Sequence, residues 1–399
     1  MNNFHLASLS HDRSEKIDLS AYSADIGERI RAFHRSFPEY TETPLVKLEN
    51  TARALGLKEV YVKDESKRFG LNAFKVLGGS YAIGSVLAAR LGIHPDEMRF
   101  DMLTTPEARE ALGSLTFVTA TDGNHGRGVA WSARRFGCQS VVYMPRGTVM
   151  ERLENIRKAG ANADITEFNY DECVRIANRQ AQEKGWIVVQ DTAWEGYEEI
   201  PGRIMQGYVT MALEAHEQLG KRPTHIFLQA GVGSMAAAIA AFFAGVYGEN
   251  RPVITIVEPN KADCFYQTAL SNDGKRRFVT GDMDTIMAGL ACGEPCTIAW
   301  DILSKVADHF IAFPDYAAAQ GMRILGNPMQ GDERIVAGES GASAFGCISE
   351  VMRRPELSDI REALGLNEES VCLFFSTEGD TDRKNYRDIV WNGAYAPEV

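Results

Sequence analysis

The 399-residue sequence contains no long apolar segment and no excess of positive charge. No stretch approaches the roughly 18 apolar residues of a membrane-spanning helix, so we predict no transmembrane segment. Residues 1–20 are polar and have no apolar centre, so we expect no signal peptide and a cytoplasmic location. The net charge of −12 argues against nucleic acid or an anionic membrane as a partner, because either would favour a basic surface.

The cysteines and histidines lack the spacings that are typical of zinc sites. The seven cysteines include no Cys-x-x-Cys pair, and the eight histidines include no His-x-x-x-His pair. Because these spacings are missing, we predict no metal site. The odd total of cysteines is typical of a cytosolic protein with reduced thiols and not of a disulfide framework. Cys264 and Cys292 both lie in loops that we expect near a cleft, and there the sequence allows either reduced thiols or one redox-sensitive disulfide.

Predicted strands and helices alternate from Leu115 onward, and the loops between them are short. The strands predicted in this block are residues 115–121, 140–144, 163–168 and 186–190. Such alternation indicates a parallel sheet covered by helices. Two helices of the block are predicted to start at capping boxes, which are Thr148-x-x-Glu151 and Asn169-x-x-Glu172.

This block is long enough for a small domain of its own. We predict a small inserted α/β domain at residues 90–193 and a large domain formed by residues 1–89 together with 194–399. The first part of the small domain, residues 94–114, is charged and contains prolines, so we expect a loop there. Residues 1–40 are expected to be irregular, with one helix near residues 24–36.

Lys75 lies in an otherwise apolar segment that continues to Ala89. A lysine there could simply start a surface helix, but a desolvated lysine has a lowered pKa, and its neutral amine can form a Schiff base with an aldehyde. The segment Ala73-Phe74-Lys75-x-x-Gly78 resembles the cofactor-lysine segment of fold-type II pyridoxal-phosphate (PLP) enzymes. Their usual form is Ser-Phe-Lys-x-Arg-Gly, so this chain differs from it at Ala73 and Leu77.

A glycine-containing turn joins a predicted strand to a predicted helix at residues 229–235. Glycines allow successive backbone N–H groups to face one anion at the positive end of a helix, although a tight turn without a ligand has the same form. In position and form the turn is similar to the phosphate loop of the same family. The resemblance implies that the phosphate binds to the loop residues, which are Gly231, Val232, Gly233, Ser234 and Met235.

The segment Thr121-Asp122-Gly123-Asn124-His125 follows a predicted strand and opens a predicted helix. An N-cap and a turn would explain it, but it is similar to the family's Ser-x-Gly-Asn-His segment. The resemblance implies that Asn124 contacts the ring oxygen of the cofactor, and that Thr121, Asp122 and His125 bind substrate. Dehydratases of the family usually have a small residue at the position of Asp122, where a carboxylate is able to exchange a proton or bind a cationic group.

Two further candidates follow predicted strands. Asp191 ends a strand, and a carboxylate there points toward the ligand crevice of an open α/β sheet, or it caps the next segment. The turn that starts at Ser376-Thr377 resembles the family turn whose serine faces the pyridine nitrogen of the cofactor. Ser376 is the direct match and Thr377 is the alternative.

The segments around Lys75, Asn124, Gly231 and Ser376 occur in the order of the fold-type II family and span about residues 40–380. The resemblance implies an α/β fold with two open, mostly parallel twisted sheets, helices on both faces of each sheet, and a large and a small domain. It also implies PLP bound as a Schiff base on Lys75, and a homodimer.

Within the family, Asp122, Asp191 and the turns at residues 197–201 and 376–382 resemble those of diaminopropionate ammonia-lyases. That resemblance implies α,β-elimination of D- and L-2,3-diaminopropionate to pyruvate and two ammonia molecules, a step of amino-acid catabolism. It assigns catalytic roles to Lys75 as the base for the L-isomer, to Asp122 as the base for the D-isomer and to Asp191, which is also expected to bind substrate. The alternatives are a serine/threonine dehydratase or another amino-acid β-lyase, and a non-catalytic PLP-binding protein.

Overall fold

A computed structural model describes residues 3–121 and 123–396 of the chain. The strands of this part are β1 (His5–Ser8), β2 (Leu45–Lys47), β3 (Glu59–Asp64), β4 (Thr116–Ala120), β5 (Gln139–Met144), β6 (Asn162–Ile165), β7 (Ile187–Val188), β8 (His225–Gln229), β9 (Val253–Pro259), β10 (His309–Phe313) and β11 (Val371–Ser376). Within the described residues, no helix is both long and apolar enough to cross a membrane.

The helices occupy most of the segments between these strands. They are α1 (Ala24–Arg35), α2 (Glu49–Ala54), α3 (Val76–Leu91), α4 (Phe100–Leu103), α5 (Pro106–Leu112), α6 (Asn124–Arg135), α7 (Met150–Ala159), α8 (Tyr170–Lys184), α9 (Glu199–Leu219), α10 (Ser234–Tyr247), α11 (Cys264–Ser271), α12 (Thr297–Val306), α13 (Asp315–Gly326), α14 (Glu339–Arg353), α15 (Ser358–Leu364) and α16 (Arg383–Val390).

The chain divides into two compact units. The large unit comprises the described residues of 1–23, 42–67 and 211–399, and the small unit those of 24–41 and 68–210. The predicted domain boundaries stay a prediction, and the compact units differ from them at 24–41, 68–89 and 194–210. These segments belong to the small unit because α3 packs against α6 at Gly79 and Gly128, and against α9 at Gly78 and Gly207.

The large unit contains a seven-stranded sheet in the order β1-β10-β9-β8-β11-β3-β2. The five inner strands are parallel, and the edge strands β1 and β2 are antiparallel to their neighbours. Every residue of β8 and β11 is buried, as expected for the centre of a parallel sheet that is covered on both faces. Because β8 and β11 are neighbours, the loops that follow their carboxyl ends start side by side.

The small unit contains a four-stranded sheet in the order β6-β5-β4-β7, in which all strands are parallel. Helices α6 and α7 bury an apolar cluster against β5 that includes Val142 and Ile156, while α8 packs against β4 through Cys173 and Ala177. The two mostly parallel sheets with helices on both faces confirm the predicted fold class.

Some local predictions were wrong. Residues 94–114 contain α4 and α5 and do not form a loop, because Thr105 accepts a hydrogen bond from Ala108 N and Pro106 occupies the first turn of α5. The residues before α1 include the strand β1. Asn169 caps α8 by accepting a hydrogen bond from Glu172 N, as predicted. Thr148 does not cap α7, because its hydroxyl donates to the carbonyl of Pro145 instead.

Candidate active site

Lys75 lies at the N-cap of α3, in the small unit, and its side chain is only 20% exposed. Its Nζ donates a hydrogen bond to Oδ2 of Asp191 over 2.6 Å. Asp191 follows the end of β7 and is buried. The two residues that the sequence singled out separately are therefore partners in one ion pair.

The charge of Asp191 is set by its surroundings. Burial raises the pKa of this carboxyl, but the neighbouring His125 and Lys75 outweigh burial and lower the pKa to about 2. Asp191 is therefore ionised throughout the physiological pH range. It holds Nζ of Lys75 in one position and stabilises the positive charge of its ammonium form.

His125 supports the same carboxylate from the second position of α6. Its Nε2 donates to the carbonyl of Val189 over 2.8 Å, which fixes the orientation of the imidazole. Its Nδ1 lies 3.7 Å from Oδ2 of Asp191, which is ion-pair distance when the ring is protonated. The structure thus brings His125 and Asp191 together with Lys75, and places Asn124 at the first position of the same helix.

Asp122 lies outside the described residues, so its predicted roles in catalysis and in substrate binding stay predictions. The residues on either side of it are described. Thr121 is buried, and its hydroxyl accepts a hydrogen bond from Gly123 N over 3.0 Å. In that bond the hydroxyl oxygen of Thr121 is the acceptor, and the bond stabilises the turn before α6.

Gln190 is a supporting residue that the sequence analysis did not single out. Its side-chain amide donates to the carbonyl of Ala120, and its Oε1 accepts hydrogen bonds from Ala120 N and from the hydroxyl of Thr119. Its backbone N–H donates to the hydroxyl of Tyr197 over 2.9 Å. Gln190 therefore fixes the backbone just before Asp191 to the end of β4. Its position next to a candidate carboxylate was the only signal in the sequence.

The glycine loop lies in the large unit, between β8 and the 14-residue helix α10. Gly233 has φ +89°, a conformation that favours glycine, and a Cβ atom there would lie 2.2 Å from the ring of Phe265. A Cβ atom on Gly231 would lie 2.9 Å from the carbonyl oxygen of Gly289 and 3.2 Å from Sγ of Cys292. The loop therefore requires glycine at both positions, and its backbone stands at the positive end of a long helix, as a phosphate site needs.

Ser376 and Thr377 differ in how their hydroxyls are occupied. Thr377 Oγ1 accepts a 3.0 Å hydrogen bond from Nε2 of Gln229, the last residue of β8. Ser376 is completely buried, and among the described residues its Oγ has only a long, 3.5 Å hydrogen bond to the carbonyl of Glu378. A neutral pyridine nitrogen accepts a hydrogen bond, and both hydroxyls are able to donate one: Thr377 acts only as an acceptor toward Gln229, and Ser376 donates only over that long distance. Gln229 joins this turn to the start of the glycine loop in the same unit.

Each unit contains residues that are chemically suited to PLP. The small unit contains a lysine held by a buried carboxylate, and the large unit contains a glycine cradle and a buried serine hydroxyl. Across the described residues, no three His, Cys, Asp or Glu side chains form a group suited to a metal ion, and the absence of a metal stays a prediction. Among the described residues no two cysteines form a disulfide, and Sγ of Cys264 lies 3.6 Å from the carbonyl oxygen of Cys292.

Comparison with known proteins identifies the family to which this chain belongs. A family model described as "Pyridoxal-phosphate dependent enzyme" matches residues 37–371. The chain therefore belongs to the family of pyridoxal-phosphate dependent enzymes, and PLP is its cofactor.

Within this family, the chain is similar to diaminopropionate ammonia-lyases. The chain is 50% identical to a diaminopropionate ammonia-lyase of Salmonella typhimurium over 383 residues. The aligned region covers 95% of each chain. The crystal structure of the holo diaminopropionate ammonia-lyase of Escherichia coli matches with a TM-score of 0.91 and 44% identity over 98% of both chains. A structure of the same Escherichia coli enzyme in complex with D-serine matches equally well in all three measures. The resemblance inferred from the motifs is confirmed.

Proposed function

We propose that this chain catalyses the α,β-elimination of 2,3-diaminopropionate, with water, to pyruvate and two ammonia molecules. The observation that carries the proposal is the ion pair of Lys75 with the buried Asp191, in a chain that is similar to diaminopropionate ammonia-lyases over nearly its whole length. A permanently ionised carboxylate suits a substrate with a second ammonium group. The uncharged side chain of serine or threonine would not need such a carboxylate.

PLP, when bound, supplies an electron sink for the negative charge that develops at the substrate Cα. The residues proposed to hold it are Lys75, through a Schiff base, and Asn124 at the ring oxygen. Ser376 serves the pyridine nitrogen, with Thr377 as the alternative. The phosphate is assigned to the loop residues Gly231, Val232, Gly233, Ser234 and Met235. A neutral serine hydroxyl does not keep the pyridine nitrogen protonated, which favours prompt loss of a β-substituent.

Lys75 has two tasks in the proposed mechanism. As a neutral amine it removes the Cα proton of the L-isomer, and as an ammonium it is suited to protonate the departing β-amine, which leaves poorly without a proton. Asp191 stabilises the ammonium form between these two events, because it remains ionised and lies 2.6 Å from Nζ. His125 lies 3.7 Å from the same carboxylate oxygen that binds Nζ, and it helps to keep Asp191 ionised.

Asp122 is proposed as the base for the D-isomer, since a single lysine reaches only one face of the substrate. The D-serine complex of the Escherichia coli relative supports binding of D-amino acids at such a site. Replacing Asp122 by asparagine keeps the size of the side chain and removes the base. Turnover of D-diaminopropionate should fall by on the order of 10²-fold or more, and turnover of the L-isomer much less. Equal losses on both isomers would show that Asp122 binds substrate and is not a base.

Product stoichiometry tests the reaction itself. Diaminopropionate yields two ammonia molecules per pyruvate, serine yields one, and threonine yields a different oxo acid. We expect a ratio of two and a higher kcat/KM for diaminopropionate than for serine, threonine or cysteine. A preference for serine or threonine would favour the dehydratase alternative. A borohydride-sensitive chromophore without any turnover would favour a PLP-binding protein that is not an enzyme.

The homodimer and the cytoplasmic location are also proposals, and they rest on the family resemblance. Light scattering of the purified holoenzyme should give twice the 44.0 kDa mass of the chain. A monomer that turns over at the full rate would contradict the dimer.

A further inference from the structure

Helices α3 and α9 approach each other closely just after Lys75. A Cβ atom on Gly207 would lie 2.5 Å from the carbonyl oxygen of Leu77, and one on Gly78 would lie 2.7 Å from the ring of Tyr208. The ring of Tyr208 also packs against that of Phe74, with the ring centres 4.8 Å apart. Tyr208 is therefore fixed beside the first turn of α3, next to the residue that precedes the lysine.

The hydroxyl group of Tyr208 has no evident structural function. The residue is 1% exposed, and its hydroxyl makes no hydrogen bond with any residue that the structure describes. An unpaired buried hydroxyl disfavours folding, and phenylalanine would fill the same space without this cost. Tyr197 shows the usual arrangement, because its hydroxyl donates to the carbonyl of Val188 and accepts from Gln190 N.

The charges that surround this hydroxyl belong to the lysine site. Burial raises the pKa of Tyr208 above its ordinary value, Lys75 lowers it and Asp191 raises it further. Both groups therefore lie within electrostatic range of the phenol, and the phenol is neutral at working pH. His125 acts on the same carboxylate from α6, and Asp191 contributes to the raised pKa of Tyr197.

We propose that Tyr208 is a positioning residue for Lys75, whose hydroxyl donates a hydrogen bond to Nζ when the amine is neutral. An ammonium group has three donors and no acceptor, so only the neutral amine is able to accept the phenolic hydrogen. The hydroxyl therefore favours the form of Lys75 that attacks an aldehyde and removes a proton. Asp191 favours the opposite form, and the two partners together let Nζ change its charge within one buried site.

This inference rests on the proposed function in one respect, which is that Lys75 is the cofactor lysine. The test is Tyr208→Phe, which removes only the hydroxyl. The first readout is the pH dependence of PLP capture by the apoenzyme, measured as borohydride-reducible chromophore formed per unit time. Its midpoint should rise by about 0.5 to 1 pH unit, the scale of one lost hydrogen bond to the neutral amine.

Two further readouts separate positioning from structure. The kcat for L-diaminopropionate near neutral pH should fall by about three- to tenfold, with little change in KM, because less of the lysine is neutral. The unfolding temperature of the apoenzyme should stay the same or rise, since no hydrogen bond of the folded chain is lost. Tyr386→Phe is the matched control, because its buried hydroxyl also lacks a partner among the described residues, and Tyr386 lies on α16 in the large unit. It should leave the midpoint and kcat unchanged.

A Tyr208→Phe enzyme with the wild-type midpoint would overturn the inference, whatever its turnover. A lower unfolding temperature with an unchanged midpoint would also overturn it, by making the hydroxyl structural. Failure of the proposed function is distinct from both outcomes. In that case the wild-type enzyme releases no pyruvate and ammonia from diaminopropionate, while the midpoint of PLP capture still shows whether Tyr208 acts on Lys75.

Discussion

Two glycines on α9 provide a sharp test of the packing that positions Lys75. A Cβ atom on Gly207 would meet the backbone of α3, at 2.5 Å from the carbonyl oxygen of Leu77 and 2.8 Å from Cα of Gly78. Gly202 lies on the same helix, and a Cβ atom there has nothing within 4 Å. The substitutions Gly207→Ala and Gly202→Ala therefore have the same effect on helix propensity but opposite effects on packing.

The expected magnitudes follow from these distances. Alanine in a helix interior is better than glycine by roughly 0.5–1 kcal/mol, so Gly202→Ala should stabilise the protein by about that amount. At Gly207 the same gain is opposed by overpacking, which typically costs about 1–3 kcal/mol. Ordinary van der Waals contact between the new Cβ atom and the carbonyl oxygen of Leu77 begins near 3.4 Å, so α3 has to move away from α9 by about 1 Å. A displacement of that size at a catalytic lysine reduces turnover by up to about 10²-fold.

Urea unfolding of the apoenzymes gives the free energies of unfolding, and ammonia release gives kcat. We expect Gly202→Ala to be as active as the wild type and slightly more stable. Gly207→Ala should be less stable and much less active, with slower PLP capture. If Gly207→Ala were as stable and as active as Gly202→Ala, the glycine contact would not position Lys75.

Three other predictions concern Lys75, Asp191 and Gly233. Lys75→Ala should abolish the borohydride-reducible chromophore and nearly all turnover; a variant that retains both has its Schiff base elsewhere. The pKa of Asp191 is lowered to about 2, so its stabilising contribution, about 2 kcal/mol, is complete at neutral pH and is lost as the pH falls through about 4 toward 2. Urea unfolding of wild type and Asp191→Asn should show this loss: the difference between their free energies of unfolding should be about 1 kcal/mol smaller at pH 3 than at pH 5. A difference that stays constant over this range would refute the ion pair. Gly233→Ala should weaken apoenzyme affinity for PLP by about tenfold or more but leave affinity for pyridoxal, which lacks the phosphate, nearly unchanged; equal losses would exclude a phosphate site there.

The alternation of strands and helices was predictable because its signals are local. In the segment of β5 to α8, the pair Val141-Val142 marks the strand β5, and glycines with positive φ end helices α7 and α8 at Gly160 and Gly185. The strand β1 was missed because its four residues are stabilised by pairing with β10, some 300 residues later in the chain. Helices α4 and α5 were missed although Thr105-Pro106 is a recognisable helix start.

The site was predictable residue by residue but not as an arrangement. Lys75 and Asp191 each carry a local signal, yet their ion pair joins positions 116 residues apart. Tyr208 carries no signal, because an aromatic residue on an apolar helix is indistinguishable from ordinary core. Its unpaired hydroxyl becomes visible only when the surrounding atoms are known.

The strand order of the two sheets has a consequence for synthesis on the ribosome. β4 to β7 emerge consecutively, so the sheet of the small unit can form while the rest of the chain is still being translated. β3 pairs on one side with β11, whose residues 371–376 are among the last to be made. Until β11 has been synthesised, one edge of β3 has no partner strand, and an unpaired edge promotes association with other chains. Premature termination shortly before Val371 would therefore remove an inner strand of the large sheet, and such products should be insoluble and rapidly degraded.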